Sequence, residues 1–272
     1  MTEIGSTAES IELQGSREES QRTAILRAEI LRGDEVDVTC ALEMTEDSVF
    51  LVTDALPSIG DVVHVRLSFP RLVRPLLVSA RVTQVRLSNG SGAPAGFRAE
   101  LIPADAQNTQ HVADVVQQVR VKRCPPPSGT SDTRPLSLLF VEDNRLLRDM
   151  FSYAVDRYFG RGRGRVELVA VGDVASAART IEKRADRFDV ALVDHYLPND
   201  TGSSFIAKLR ASPKHAKMSV IGMSAGGAEV RREMIHAGAD LFLQKPIILK
   251  DLFCTLELLM VNVASQAQVP GT

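Results

Sequence analysis

Five short apolar runs, separated by segments of helical periodicity, constrain most strongly how the second half of this 272-residue chain can fold. In chain order the runs are LSLLFVED, VELVAV, FDVALVD, MSVIGMS and ADLFLQK. Strands that are apolar almost throughout must be buried on both faces, which is typical of a parallel sheet covered by helices on each side. We therefore predict an α/β domain with a doubly wound parallel sheet.

Four of these runs end on side chains that carry a charge or a hydroxyl group. The first ends on Glu142 and Asp143, the third on Asp194, the fourth on Ser224 and the fifth on Lys245. Functional groups in open parallel sheets lie beyond the carboxyl ends of the strands, where the strand order reverses. We therefore expect these side chains to meet at one rim of the sheet.

Electrostatics limits what such a rim can do. Two carboxylates about 4 Å apart repel by roughly 4 kcal/mol at an effective dielectric constant of 20, and Lys245 supplies only one compensating charge. Mg²⁺ suits the remainder, because it prefers one or two carboxylates together with phosphate oxygens. A carboxylate beside Mg²⁺ and lysine can attack a phosphoryl group, so the pattern indicates an aspartyl-phosphate on Asp194.

Over about Leu136 to Met260 the chain resembles the receiver domain of two-component response regulators. The motifs occur in the order of that family: FVEDN, VDHYLPNDTG, GMSA and GADLFLQKP. The resemblance implies a flavodoxin-like sheet with strand order 2-1-3-4-5. It also implies a signalling protein, not an enzyme acting on a diffusible substrate.

The resemblance assigns a role to each rim residue. Asp194 would accept the phosphoryl group from a histidine kinase or phosphotransfer protein, while Ser224 and Lys245 bind the phosphoryl oxygens. Phe242 matches the aromatic switch position, which responds when the hydroxyl of Ser224 moves. The implied Mg²⁺ ligands are Asp143, Asp194, the backbone carbonyl of Tyr196 and, through water, Glu142.

Each of these residues taken alone has an ordinary structural explanation. Asp194 and Ser224 could cap helices, the Glu142–Asp143 pair could favour the positive end of the following helix, and Lys245 could form a surface salt bridge. Phe242 could be a core residue. Their occurrence together favours the functional interpretation.

Two further features near the motifs have a weaker bearing on function. We expect His195, which follows Asp194, to shape access to the carboxylate and not to act in acid–base or metal chemistry. Pro198 and Gly202 shape the next loop. The basic stretch GRGRGR at residues 160–165 is expected to be a solvated loop, because no aromatic residue is interleaved for stacking on nucleic acid.

Shorter runs with alternating polarity and clear turn signals occupy the first half, as in VVHVRLSF and ARVTQVRL. This pattern predicts an antiparallel all-β barrel or sandwich, closed by a helix in which Val112, Val115, Val116 and Val119 share one face. The layout resembles a PilZ domain over about Arg22 to Val119. Many members of that family bind cyclic di-GMP on a six-stranded barrel.

The residues that bind this nucleotide in the family are altered here. Arg17, Arg22 and Arg27 are each five residues apart instead of four, which places neighbours on opposite faces of an extended segment. Glu43, Thr45 and Ser48 stand where the family has an acidic or amide residue, serine and glycine. Ser48 adopts a positive φ less readily than glycine does. We therefore favour a degenerate barrel used for protein contacts.

The composition of the chain limits which partners and which cellular compartment we expect for it. A net charge of −2 gives no overall field towards nucleic acid or anionic lipid, and no run approaches the roughly 20 apolar residues that span a bilayer. Three widely spaced cysteines, Cys40, Cys124 and Cys254, favour a reducing cytoplasm over a disulfide framework. No DNA-reading module is evident, so we expect partners that are neither DNA nor membrane.

The predicted organisation follows from the Pro-rich stretch RCPPPSGTSDTRP, which supports neither helix nor strand pairing. We predict a disordered tail (1–21), a PilZ-like barrel (22–120), a linker (121–135), a receiver (136–262) and a C-terminal tail (263–272). The favoured function is a phosphorelay response regulator whose barrel contacts an unknown downstream protein. Two alternatives stay open: a cyclic di-GMP effector tuned by the receiver, and a non-phosphorylated scaffold that dimerises through it.

Overall fold

The computed structural model describes residues 23–69, 73–87, 94–120, 134–160, 165–184 and 187–267, with side chains described up to Met260. The predicted N-terminal tail, Arg17, Arg22, Cys124, residues 161–164 of the basic stretch and most of the predicted linker lie outside these ranges. Within them the chain forms a closed six-stranded barrel and then a five-stranded sheet with helices packed against it.

The barrel consists of six antiparallel strands in the order β1-β2-β3-β6-β5-β4. Their bounds are β1 Leu26–Arg32, β2 Glu35–Leu42, β3 Ser48–Val52, β4 Val62–Phe69, β5 Val73–Arg86 and β6 Gly96–Ile102. Pairing between β1 and β4 closes the barrel, so no strand edge is left open. The prediction of an antiparallel all-β architecture is confirmed at this level.

Alternation along the strands explains how the barrel interior is filled. In β4 the side chains of Val65, Leu67 and Phe69 are buried, while the residues between them are exposed or partly exposed. Helix α1, Ala106–Val119, packs against β5 and buries the four valines that share one face, as predicted. Its N-terminus is capped by Asp105, whose carboxylate accepts a hydrogen bond from the amide of Asn108 at 2.7 Å.

The second sheet is parallel and has the strand order 2-1-3-4-5 expected from the sequence. Its strands are β7 Leu136–Val141, β8 Val166–Val171, β9 Val190–Asp194, β12 Ser219–Ser224 and β13 Leu241–Gln244. The helices are α2 Arg145–Phe159, α3 Val174–Lys183, α4 Gly202–Ala211, α5 Ala228–His236 and α6 Leu249–Ala267. A two-residue hairpin, β10 Tyr196–Leu197 with β11 Asp200–Thr201, follows β9.

Successive residues of β7 point to opposite faces, and this divides the hydrophobic core in two. Leu138 and Phe140 belong to a buried cluster that includes Phe151 of α2, whereas Leu139 and Val141 belong to a second cluster on the other face. Both faces of the sheet are therefore covered, as apolar strands require. Among the described residues, no helix is long and apolar enough to cross a membrane.

Two details differ from the sequence-based expectations. Strand β8 is only partly buried, because it lies at the edge of the sheet and has one neighbouring strand. The β10–β11 hairpin was not predicted, since two-residue strands leave no periodic signal. The predicted domain end at residue 262 stays a prediction; helix α6 itself ends at Ala267.

Candidate functional site

The predicted rim residues lie at the carboxyl ends of adjacent strands. Asp194 is the last residue of β9 and Ser224 the last residue of β12, while Glu142 directly follows β7 and Lys245 directly follows β13. Because β9 lies between β7 and β12, the central carboxylate has a functional side chain on each side. The rule that parallel strands present their functional groups at one edge therefore accounts for the placement.

Three carboxylates form one acidic cluster at this rim. Oxygen atoms of Glu142, Asp143 and Asp194 all lie within 4.8 Å of one another. Glu142 and Asp194 are buried, at 2% and 5% exposure, whereas Asp143 is exposed. A set of carboxylate oxygens with one side open to solvent suits a hard divalent cation such as Mg²⁺, which keeps several of its water ligands.

Lys245 holds the two buried carboxylates together. Its Nζ donates to Glu142 Oε2 at 2.6 Å and to Asp194 Oδ2 at 2.9 Å. Burial lowers the pKa of Lys245, but the hydrogen bonds and the negative charges of both carboxylates outweigh it, so the pKa lies above its usual value. The ammonium is therefore charged, and three carboxylates with one ammonium leave a formal charge of −2, from −3 and +1. That remainder matches the charge of one divalent cation.

The loop after Asp194 is fixed by a very close backbone approach. Asp194 Oδ1 accepts a hydrogen bond from the amide of His195 at 2.8 Å, and the Gly202 amide donates to the His195 carbonyl at 2.9 Å. A Cβ atom on Gly202 would lie 2.1 Å from the carbonyl oxygen of Asp194. Only glycine fits, which explains why the motif places one where α4 begins.

The capping alternatives for the rim residues do not match the observed caps. Helix α2 is capped by Asn144 and α4 by Thr201, whereas the N-cap residue of α5 is Gly227, which has no side chain to form a cap. Ser224 is fully buried, and its Oγ accepts from the amide of Gly226 at 2.9 Å, inside the loop that precedes α5. The hydroxyl is thus tied to this loop and not to a helix end.

Two residues with implied roles are placed but not tested by the geometry. Phe242 is buried in β13 and belongs to the same hydrophobic cluster as Met234 of α5 and Phe205 of α4. Tyr196 lies in β10, with an exposed side chain. Its backbone carbonyl as a metal ligand, and Phe242 as a switch, stay predictions.

A polar network that no sequence pattern predicted lies on the other side of the loop that follows Asp194. The imidazole of His195 is buried, with Nε2 at 3.8 Å from Glu233 Oε2, and it packs edge-on against the Tyr196 ring at 4.8 Å. The hydroxyl of Ser203 also donates to Glu233. Only the adjacency of His195 to Asp194 hinted at this network, because nothing in the spacing links either residue to Glu233 on α5.

Two barrel residues that the sequence analysis singled out, Arg27 and Glu43, form ion pairs within the chain. Arg27 lies on β1 and pairs with Glu29 at 3.3 Å. Glu43 forms an ion pair with Arg98 and has a φ of +51°, so the left-handed conformation occurs at Glu43 and not at Ser48.

Residues 138–257 match the family model of the response regulator receiver domain. The rice (Oryza sativa subsp. indica) two-component response regulator ORR8 is 27% identical over 115 residues, which are 42% of this chain and 89% of that protein. The Arabidopsis thaliana two-component response regulator ARR13 is 26% identical over 122 residues, 45% of this chain. The matched region spans only 20% of the length of ARR13.

Similar solved structures cover about the same part of the chain. The receiver domain of the sensor histidine kinase PA1611 from Pseudomonas aeruginosa, with a magnesium ion coordinated in its active site cleft, is 26% identical. It covers 47% of this chain and 99% of its own, with a TM-score of 0.40. The phosphorylated cyanobacterial phytochrome response regulator RcpA is 20% identical and covers 51% of this chain and all of its own (100%), with a TM-score of 0.41. The family match, on a sheet of the expected order, identifies residues 138–257 as a response regulator receiver domain.

Proposed function

We propose that this chain is a response regulator of a phosphorelay, which accepts a phosphoryl group on Asp194 from a histidine kinase or phosphotransfer protein. One observation carries the proposal: Lys245 bridges the buried carboxylates of Asp194 and Glu142, with Asp143 in the same cluster. Holding three carboxylates at one rim costs free energy through their repulsion. That cost is explained if a bound cation offsets the repulsion and the carboxylates take part in phosphoryl transfer.

The chain's own residues provide the nucleophile and its orientation. The amide of His195 and the ammonium of Lys245 hold one oxygen each of the Asp194 carboxylate. A carboxylate oxygen forms the new bond to phosphorus as the phosphorus–nitrogen bond of a phosphohistidine breaks. The bonding electron pair stays on the imidazole, which takes up a proton. Lys245 and the hydroxyl of Ser224 then donate hydrogen bonds to the phosphoryl oxygens.

Glu142, Asp143, Asp194 and the backbone carbonyl of Tyr196 would hold Mg²⁺ here. When bound, Mg²⁺ supplies positive charge that offsets the negative charge on the phosphoryl oxygens. Asp143 is the exposed member of the cluster, so its carboxylate faces the side from which a hydrated ion enters. Glu142 is bonded to Lys245 and to the amide of Asn144, at 3.3 Å, and therefore contributes mainly through its charge.

The six-stranded barrel is the proposed output module, and the PilZ resemblance is part of this proposal. The contacts of Arg27, Glu43 and Thr45 within the chain favour protein recognition over nucleotide binding. We place the protein in the cytoplasm, where a phosphodonor kinase domain and a reduced Cys40 thiol are both expected. A cyclic di-GMP effector remains the alternative, which saturable nucleotide binding lost in Arg27→Ala would favour.

The phosphoacceptor assignment predicts a covalent adduct. The purified protein, incubated with MgCl₂ and acetyl phosphate, is expected to gain the mass of one phosphoryl group, as measured by intact-protein mass spectrometry. Omission of Mg²⁺ is expected to abolish the gain. Hydroxylamine is expected to release the group, because acyl phosphates are cleaved by strong nucleophiles.

Asp194→Asn is the test variant, since it keeps the shape of the side chain and removes the nucleophilic carboxylate. Asp200→Asn is the matched control, because Asp200 follows in the same loop and forms its own exposed ion pair with Lys208 at 2.7 Å. The control should be phosphorylated like the parent. An unmodified parent protein, or an adduct that persists in Asp194→Asn, would show the proposal to be wrong.

A further inference from the structure

Glu233 of α5 contacts a buried side chain at each end of the connection from β9 to α4. The hydroxyl of Ser203 donates a hydrogen bond to one carboxylate oxygen of Glu233, and Nε2 of His195 lies 3.8 Å from the other. His195 and Ser203 are 5% and 4% exposed, whereas the Glu233 side chain is half exposed, at 51%. One carboxylate on a neighbouring helix therefore faces both ends of the connection.

Hydrogen bonds link the first turn of α4 to the Glu233 carboxylate. The amide of Ser204 donates to the hydroxyl of Thr201 at 3.2 Å, and this contact caps the helix. The hydroxyl oxygens of Thr201 and Ser203 lie 2.9 Å apart. A hydroxyl has one proton to donate, and Ser203 donates its proton to Glu233, so Thr201 is the donor between the two. The carboxylate therefore sets the direction of both hydroxyl groups.

Gly202 transmits the position of this turn to Asp194. It lies between Thr201 and Ser203, and its amide donates to the His195 carbonyl at 2.9 Å. The approach is so close that a Cβ on Gly202 would lie 2.1 Å from the carbonyl oxygen of Asp194. Because the two backbone segments touch directly, a shift of the first turn of α4 also shifts the main chain of Asp194.

The His195 ring gives a second contact between Glu233 and this connection. Nδ1 of the ring is buried and has no hydrogen-bond partner among the described residues. The polar contact of the ring is therefore made by Nε2, which faces Glu233. The ring also packs edge-on against Tyr196, with 4.8 Å between the ring centroids. The orientation of the side chain directly after Asp194 thus depends in part on Glu233.

We propose that Glu233 is a positioning residue for phosphoryl transfer: through Ser203 and His195 it fixes the main chain of Asp194 and of the residues that follow it. The inference rests on the phosphoacceptor function proposed above. The contacts of Glu233 are with Ser203 and His195, so it acts on Asp194 only through the connection. A nucleophile that is displaced from its line of attack reacts more slowly, because the reacting atoms have to be close and aligned.

The structural step is tested without phosphorylation, by hydrogen exchange measured with mass spectrometry. Glu233→Ala removes the acceptor of the Ser203 hydroxyl. Peptides that cover residues 195–205 should then exchange about threefold faster or more than in the parent, because local opening becomes easier. Glu229→Ala is the matched control, since Glu229 is an exposed glutamate one turn earlier on α5. The control should exchange like the parent in this region.

The functional step is tested by the rate constant for phosphorylation by acetyl phosphate at saturating MgCl₂, taken from intact-protein mass spectra at successive times. We expect Glu233→Ala to lower this rate constant about tenfold, because misalignment of reacting groups has large effects on rate. Glu229→Ala should react at the rate of the parent. A purely structural role would reduce the folded fraction, which circular dichroism measures, and would leave the rate constant of the folded molecules unchanged.

Glu233→Gln is the conservative variant. Its side chain has the same length, and its amide oxygen can still accept a hydrogen bond from the Ser203 hydroxyl. Because this hydrogen bond is kept, the variant should react within about twofold of the parent.

A double-variant cycle tests whether Glu233 acts through Ser203. Ser203→Ala removes the donor of the same hydrogen bond and should also slow phosphorylation. If both residues act through this bond, the doubly substituted protein should react within about twofold of the slower single variant. Effects that multiply would mean that the two residues act independently, which would overturn the inference.

The outcomes separate this inference from the proposed function. A parent that is phosphorylated, together with a folded Glu233→Ala variant that reacts at the parent's rate, would overturn the inference and leave the phosphoacceptor function intact. The inference would also be wrong if Glu233→Gln reacted as slowly as Glu233→Ala, or if Glu233→Ala and Glu229→Ala exchanged equally at residues 195–205. A parent protein that gains no phosphoryl mass would overturn both proposals.

Discussion

Cys40 shows how strongly a single residue can depend on the interdomain contact. Burial raises the pKa of its thiol to about 12, and the charge of Asp251 adds to this while Arg231 opposes it. An unfolded chain exposes a thiol that titrates near 8.5. Between about pH 8.5 and 12 the unfolded chain thus loses a proton that the folded chain keeps. The free energy of unfolding must fall over that range as pH rises.

We therefore predict that Cys40 costs the protein about 2 kcal/mol of stability between about pH 8 and pH 10, at about 1.4 kcal/mol per unit above the thiol's ordinary pKa. Urea unfolding at both pH values measures the change for the parent and for Cys40→Ala. The change in unfolding free energy between the two pH values differs between parent and variant only through the Cys40 thiol, because the two proteins share all other titrating groups. Parallel pH profiles for parent and variant would mean that the thiol is not buried in solution.

The rim residues could be predicted because each one ends an apolar run. A buried strand that stops on a carboxylate, hydroxyl or ammonium places that group at the carboxyl edge of the sheet, whatever the helices do. Glu142, Asp194, Ser224 and Lys245 were found in this way. The contact of His195 with Glu233 could not be, because it joins a loop to a helix that tertiary packing alone brings close.

The connection from β9 to α4 is the element that most strongly determines the position of Asp194, the proposed phosphoacceptor. It contains the β10–β11 hairpin and a left-handed Asn199, at φ +65°, and it ends where Gly202 contacts the Asp194 carbonyl. Pro198 and Gly202 predicted a sharp loop here. The hairpin within it follows from pairing between Tyr196 and Thr201, which leaves no signature in so short a segment.

Gly202→Ala should therefore damage both stability and function. The added Cβ would lie 2.1 Å from the Asp194 carbonyl oxygen, so the backbone of this connection has to move. Overpacking of this kind typically costs about 1–3 kcal/mol, which urea unfolding can measure. The rate of phosphorylation by acetyl phosphate should fall as well, since Asp194 moves with its own carbonyl group.

Gly227→Ala is the control for the glycine substitution. Gly227 is the N-cap residue of α5, at a φ of −80°, and a Cβ there would have no heavy atom within 4 Å beyond its two chain neighbours. This variant should unfold within about 0.5 kcal/mol of the parent, as surface substitutions usually do. Equal effects of the two substitutions would argue against the close approach at Gly202.

At the scale of the whole molecule, the sequence predicted two folded parts but not how they meet. No sequence pattern distinguishes the barrel residues that face the receiver from ordinary strand residues; they include Ile25, Cys40, Leu42 and Val52. Only the β1–β2 register shows that Cys40 points outwards. Periodicity identifies which residues are apolar, whereas the sharing of buried surface between two folded parts is decided in three dimensions. The ion pair between Asp37 and Arg231 is equally non-local.

The barrel and the receiver are joined in one chain, which determines how tightly they have to bind each other. Joining two parts in this way gives an effective concentration on the order of 1 mM, so a Kd of about 50 μM between separate fragments would keep about 95% of intact chains docked. We predict that a protease site inserted after Cys124 yields two fragments that associate with a Kd of about 10–100 μM. Sedimentation velocity at several concentrations measures this value, and Asp37→Ala should raise it about tenfold or more. A Kd in the parent above about 1 mM would mean that most intact chains are undocked, which would contradict the contacts of Ile25 with Thr255 and of Asp37 with Arg231.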